Sequence, residues 1–195
     1  MISALVLAAG MSTRMGGAKL LMKLAGKPLL QHVIDNLEKS SVDKITVILG
    51  EEASNVLKEI NFGNARIFIN KYYNDGMSSS LKAGVQILGR DCNAFLVVLA
   101  DQPFVESSII DSIIDKYREK RGLLVVPTFE GVRGNPVLLD FSLKKEVLDV
   151  SGDEGARGVI QRHQIDVVEV EVNNSSILMD IDTPNDYEEA KKKLK

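Results

Sequence analysis

A chain of 195 residues with 45% hydrophobic and 26% charged side chains can bury a full three-layer core as one domain. Its formal net charge of −3 gives no electrostatic reason to expect nucleic acid or an anionic membrane as partner. The single cysteine, Cys92, excludes an internal disulfide, and neither His32 nor His163 stands at a zinc-ligand spacing from it.

Residues 2–7 form an apolar run of buried-strand character that empties into the small-residue turn Ala8-Ala9-Gly10. A run this short neither spans a membrane nor has the basic flank of a signal peptide, so a cytoplasmic protein is expected. The loop that follows carries Ser12, Thr13, Arg14, Gly16, Gly17 and Lys19. Small residues let backbone N–H groups approach an anion, and Arg14 and Lys19 add the positive charge that a polyphosphate needs.

Further along the chain, residues 44–49, 65–69, 94–99 and 123–126 read as strands, apolar without alternation and hence covered on both faces. Residues 28–39, 51–60, 79–88 and 107–120 carry helical spacing between them; Leu29, Leu30, Val33, Ile34 and Leu37 form one stripe. This alternation predicts a mainly parallel sheet flanked by helices, a three-layer Rossmann-like α/β fold. After it, 132–139 and 165–172 hold short strands, 141–150 and 154–162 short helices, and 183–194 a closing helix with Pro184 just inside its start. Neither a linker nor a repeat divides the chain. One domain is expected, with its nucleotide-binding part at about 1–105 and an acceptor-binding part at about 106–195.

Two familiar phosphate motifs do not fit residues 7–19, LAAGMSTRMGGAK. A P-loop fails because Met15 stands where its second glycine belongs and Leu20 follows Lys19, and Ser12 breaks the dinucleotide fingerprint after Gly10. Read as L-A-A-G-x-S-x-R-M-G-x-x-K, the segment resembles the signature loop of the α/β nucleotidyltransferases. Within them it is most similar to the molybdopterin cytidylyl- and guanylyltransferases. The resemblance implies that Leu7, Ala8, Ala9, Gly10, Met11, Ser12, Thr13, Arg14 and Lys19 bind the nucleotide. In that reading the N–H groups from Ala9 to Thr13 and Arg14 hold the β- and γ-phosphates, and Lys19 acts nearer the α-phosphate.

Asp101 follows the strand 94–99 in LADQPF, where the carboxyl ends of parallel strands collect ligands, and its carboxylate is a hard oxygen donor for Mg²⁺. The segment resembles the family's metal-site motif, so Asp101 is expected to be both catalytic and metal-binding, together with Arg14 and Lys19 as the catalytic set. In MDIDTPNDY, an extended stretch over 178–181 would put Asp180 and Asp182 on one face. Asp182 is the expected second metal ligand, although it could serve only as the N-cap of the last helix; Asp180 is a metal ligand or an acceptor contact.

NKYYNDGMSSSL (70–81) resembles the family stretch that lines the base and ribose pocket, which implicates Gly76, Ser78, Ser79 and Ser80. VRGNPVL (132–138) and GDEGARGVI (152–160) resemble its acceptor motifs and implicate Arg133, Asn135 and Arg157, and Gln102 is a further expected acceptor contact. Taken together, the resemblance implies Mg²⁺-dependent transfer of a nucleoside monophosphate to molybdopterin. Ala9 favours CTP over GTP, and the recipient molybdenum hydroxylase is a further possible partner. Another small-molecule nucleotidyltransferase, and a non-catalytic protein that delivers nucleotide or cofactor, remain as alternatives.

Overall fold

The computed structural model describes residues 1–10 and 18–193. Strands β1 (Ile2–Ala8), β4 (Lys44–Leu49), β5 (Arg66–Ile69), β6 (Ala94–Leu99), β7 (Leu124–Phe129), β8 (Val132–Arg133), β9 (Val137–Asp140) and β10 (Val167–Glu171) build one sheet. Its order is β10-β7-β9-β6-β1-β4-β5, with β8 paired to β7. β5, β4, β1 and β6 run parallel, as do β7 and β10. β9 is antiparallel to both β6 and β7, so the sheet is mixed at the join between its two halves.

Alternation along β1 explains the three layers. Ala4, Val6 and Ala8 face a core shared with Leu30, Val33, Ile34 and Leu37 of helix α1 (Leu29–Glu38), with helix α2 (Ala53–Glu59), and with Ile109, Ile110, Ile113 and Ile114 of helix α4 (Ser107–Lys120). Leu5 and Leu7 face a second core that holds Leu81 and Val85 of helix α3 (Met77–Gln86), Val147 of helix α5 (Lys144–Asp149) and Val159 of helix α6 (Arg157–Arg162). Side chains of a strand point alternately to opposite faces, so a strand apolar at every position is held between two helical layers. Every residue of β1 is buried, whereas β5, at the edge of the sheet, leaves Ile67 and Ile69 exposed, so the cover on both faces expected for 65–69 is not found there.

A short hairpin, β2 (Lys23–Leu24) with β3 (Lys27–Pro28), was not foreseen from the sequence. Its turn residues Ala25 and Gly26 both have positive φ, as a two-residue hairpin requires. Leu24 packs with Leu29, Ile181 and Ala190, and the Tyr187 hydroxyl donates to the Lys23 carbonyl at 2.7 Å. The hairpin thereby seats the final helix, α7 (Pro184–Lys193), beside the segment that follows the N-terminal loop.

Residues 178–181 form no strand that would carry Asp180 and Asp182 on one face. A 3₁₀ turn, Ser175–Leu178, precedes an irregular approach to α7; the Asn174 side chain accepts from the Ser176 N–H, and Ile177 is fully buried. Helix α3 also starts two residues earlier than its apolar spacing suggested, at a turn made by Gly76 with φ +88°. Among the described residues no helix is long and apolar enough to cross a membrane.

Candidate active site

The carboxyl ends of β1 and β6 lie side by side, with Leu7 opposite Leu99 and the Ala100 N–H donating to the Leu7 carbonyl at 3.3 Å. Both strands stop there, and the diverging chains open a cavity of about 720 Å³ above the sheet. Leu7, Ala8, Ala9, Gly10, Lys19, Gly76, Ser80, Asp101, Arg157, Asp180 and Asp182 line it, all residues singled out by the sequence. Met11, Ser12, Thr13 and Arg14 lie outside the described residues.

Lys19 holds the centre of the charge arrangement. Ala18, in the left-handed region at φ +40°, turns the chain into a 3₁₀ turn over Lys19–Leu21, and Lys19 itself is only 8% exposed. Its Nζ donates to Asp101 Oδ2 and to Asp182 Oδ1, both at 2.8 Å. Burial alone would lower the Lys19 pKa; the Asp101 and Asp182 carboxylates outweigh it and hold the ammonium above its usual value. Asp101 Oδ1 is buried and has no hydrogen-bond partner among the described residues.

The possibility that Asp182 merely caps α7 is answered by its neighbours. Thr183 Oγ1 accepts from the Asp186 N–H at 3.2 Å, and Asp186 Oδ2 accepts from the N–H groups of Thr183 at 2.7 Å and Asp182 at 3.0 Å. This reciprocal capping leaves the Asp182 carboxylate for Lys19. Asp180 reaches the same cavity without a strand to carry it, held by a hydrogen bond from the Gln102 amide. Burial first, then the Asp101 and Asp182 charges, push its carboxyl above the ordinary range against that hydrogen bond.

The three serines divide. Ser80 lines the cavity and accepts from the Asn70 amide at 3.1 Å. Ser78 and Ser79 do not reach it. Ser78 Oγ donates to the Ser151 carbonyl at 3.0 Å and accepts from the Gly155 N–H at 3.1 Å, while Ser79 Oγ donates to the Gly76 carbonyl at 2.9 Å. Together with Ser78 N–H to the Gly152 carbonyl (2.9 Å) and Met77 N–H to Asp153 (3.0 Å), they fasten the start of α3 to residues 151–155.

Among the expected acceptor contacts, Arg157 lines the cavity from the first turn of α6 and forms no ion pair among the described residues. Arg133 instead pairs with Glu169 at 2.7 Å, Asn135 donates its N–H to the Ile177 carbonyl at 3.0 Å, and Gln102 is buried behind Asp180; none of these three lines the cavity.

Sequence reasoning missed Gly50. It ends β4 beside β1, and a Cβ there would lie 2.8 Å from the Ala9 carbonyl oxygen and 3.0 Å from the Ala9 Cβ. Only a residue without a side chain lets the Ala9 turn sit where it does. Its signal was present: it directly follows the apolar run at 44–49, at the same end of the sheet as Ala9. Tyr73, Asn74, Asp75, Gly152 and Asp153 also line the cavity and were passed over.

The profile of the MobA-like NTP transferase domain matches residues 4–167. Nicotine blue oxidoreductase of Paenarthrobacter nicotinovorans is 27% identical over 191 residues, covering 93% of this chain and 92% of that one. Bifunctional GlmU of Listeria monocytogenes is 32% identical over 128 residues, 64% of this chain, and the match spans only 27% of its length. Among similar solved structures, Rv0371c of Mycobacterium tuberculosis in complex with manganese has a TM-score of 0.86 at 22% identity, covering 98% of each chain. Molybdopterin-guanine dinucleotide biosynthesis protein A of Archaeoglobus fulgidus has a TM-score of 0.71 at 18% identity, again covering 98% of each. At these identities the two structures establish a common fold.

Proposed function

The chain belongs to the MobA-like NTP transferase family and is a nucleotidyltransferase, and from that premise we propose that it transfers CMP from CTP to the phosphate of molybdopterin, releasing pyrophosphate. The observation that carries this reading is Lys19 held between Asp101 and Asp182 at the carboxyl ends of the central strands, facing a cavity of nucleotide size. A buried ammonium among carboxylates suits a reaction between two anions, in which charge must be balanced at the phosphorus.

The residues present fit a divalent cation. Asp101 Oδ1 is a buried acceptor without a partner among the described residues, and Asp101 and Asp182 offer hard carboxylate oxygens of the kind Mg²⁺ takes. No preformed cluster of three or more such ligands exists among the described residues, which matches a cation that takes one or two carboxylates and completes its shell with phosphate and water. Asp101 and Asp182 would hold the cation, which would supply neutralisation of the triphosphate charge.

The acceptor phosphate oxygen attacks the α-phosphorus in line; the new P–O bond forms as the bond to pyrophosphate breaks. The attacking oxygen is already ionised at neutral pH, so this chain needs no general base. Lys19 places positive charge at the phosphoryl group where negative charge grows. Arg157, across the cavity, suits the phosphate of the second substrate. Gln102 fixes Asp180 at the acceptor side.

CTP is favoured over GTP by the resemblance carried by Ala9 in L-A-A-G. In the structure Ala9 lines the cavity and its turn packs against Gly50, so the residue here bears on the space left for the base. Molybdopterin is favoured by the order of the late segments 132–138, 152–160 and 179–187, and by the name of the Archaeoglobus relative, which points to guanine and keeps GTP as the second reading. The Paenarthrobacter relative is named for a redox reaction; a lysine bridging two carboxylates is a device for phosphates and cations, and favours transfer.

Titration calorimetry with CTP, GTP, ATP and UTP, with and without Mg²⁺, tests the nucleotide. Pyrophosphate release on adding molybdopterin tests the acceptor. Magnesium-dependent CTP binding followed by molybdopterin-dependent pyrophosphate release is expected. A preference for GTP moves the protein to the guanylyl branch. Binding of CTP without pyrophosphate release in the presence of molybdopterin favours another acceptor or a delivery role, and no binding of any nucleotide, with or without molybdopterin, overturns the proposal.

A further inference from the structure

Lys19 occupies the point that the two metal-ligating carboxylates share. Its Nζ lies 2.8 Å from Asp101 Oδ2 and 2.8 Å from Asp182 Oδ1, and no hydrogen bond to any other described residue competes for it. An ammonium and a divalent cation at the same pair of oxygens repel each other strongly in a partly dehydrated cleft. They cannot both bind there. Nor can the ammonium leave freely, because a buried charge deprived of its partner is costly and the carboxylate beside this pair, Asp180, is engaged by Gln102.

A nucleoside triphosphate changes that balance, since it brings an anion within reach of the displaced ammonium. We propose that Lys19 is an internal counter-ion that fills the cation site of the substrate-free protein and is exchanged for the divalent cation when a triphosphate enters. This rests on the cation and nucleotide reading of the preceding subsection. The exchange couples the two ligands: the metal binds weakly alone, and the triphosphate strengthens it by accepting Lys19. Coupling of this kind is reciprocal, so metal and nucleotide enter as a pair. The fold enforces it through long-range placement. Lys19 meets Asp101 across 82 residues of chain and Asp182 across 163, so neither carboxylate follows the lysine when it moves.

The test uses manganese alone as probe, with free Mn²⁺ read by electron paramagnetic resonance in the full-length protein without nucleotide. Lys19→Met is expected to bind Mn²⁺ about 10-fold more tightly than the unaltered protein, whereas Lys19→Arg, which keeps the charge, stays weak. Mn²⁺ should also raise the melting temperature of Lys19→Met more than that of the unaltered protein, a readout independent of turnover. Adding Asp101→Asn to Lys19→Met should erase both gains. Equal Mn²⁺ affinity in the unaltered protein and Lys19→Met, with binding still dependent on Asp101, overturns the exchange and leaves the metal site standing. If Asp101→Asn makes no difference to Mn²⁺ binding even with CTP present, the cation reading of the site fails, and the exchange with it.

Discussion

At Lys19 a single side chain joins three segments that are remote in sequence, and its chemistry follows from what surrounds it. The Asp101 and Asp182 carboxylates hold the ammonium above its usual pKa and keep it at the cavity. Lys19→Ala should therefore lower kcat by about 100-fold or more while changing nucleotide affinity less, as expected for a donor that acts mainly on the transition state. Steady-state kinetics that show KM rising with kcat unchanged would assign Lys19 to binding alone. Gly50 acts by having no side chain. Gly50→Ala puts a methyl group 2.8 Å from the Ala9 carbonyl oxygen, and each residue directly follows one of two adjacent parallel strands. The Ala9 turn must move, at a cost of about 1–3 kcal/mol, and nucleotide binding measured by calorimetry should weaken while the far-ultraviolet circular dichroism stays unchanged.

The elements owe their type to spacing and their exact ends to local partners. Helix α4 spans the predicted residues unchanged because its apolar stripe and its flanks agree, whereas α3 is moved by the Gly76 turn and by its bonds to residues 151–155. Those positions could not be read locally, since residues some 75 apart in the chain make the contact. Helices α5 and α6 are likewise joined through His163 and Glu146, whose ring nitrogen and carboxylate lie 2.9 Å apart. The Glu146 hydrogen bond, despite some burial, raises the His163 pKa. A group whose folded pKa is raised contributes stability that is complete below its unfolded value, about 6.5, and is lost as pH rises through the folded value. Stability from urea titration should thus fall from pH 5.5 to pH 8.5 by an amount that His163→Gln removes, about 0.2–1 kcal/mol for a pair this near the surface. An unchanged pH slope in His163→Gln would exclude the pair as its source.

For the whole molecule, the sheet supplies the platform and the clasp between α3 and residues 151–155 closes one wall of the cavity. Ser78 is at its centre, buried, giving one hydrogen bond and receiving another. Ser78→Ala leaves the Gly155 N–H without that acceptor, which should cost about 1–3 kcal/mol and lower the melting temperature. It should also weaken binding of the nucleotide by loosening the wall formed by Gly76 and Gly152. Full retention of both would show that the clasp has other sufficient bonds. Antiparallel β9 places the second half of the chain on the same sheet as the first, so that α6 brings Arg157 over a cavity that begins at β1.

The sequence by itself determined the layers and the family of the chain. Uninterrupted apolar runs predict cover on both faces, which helical stripes supply everywhere but at the edge strand β5, and small residues with Lys19 and Asp101 mark the proposed site. Tertiary structure alone decided which candidates meet. It put Ser78 and Ser79 into a fastening, set Arg133 on Glu169, and freed Asp182 by letting Thr183 and Asp186 cap α7. It also brought Asp180 to the cavity from an irregular segment, with no strand to carry it. Local patterns report the environment of a residue averaged over its own element, which is enough for burial and period. The partner of a charge depends on packing between elements far apart in the chain, and only the folded sheet fixes that.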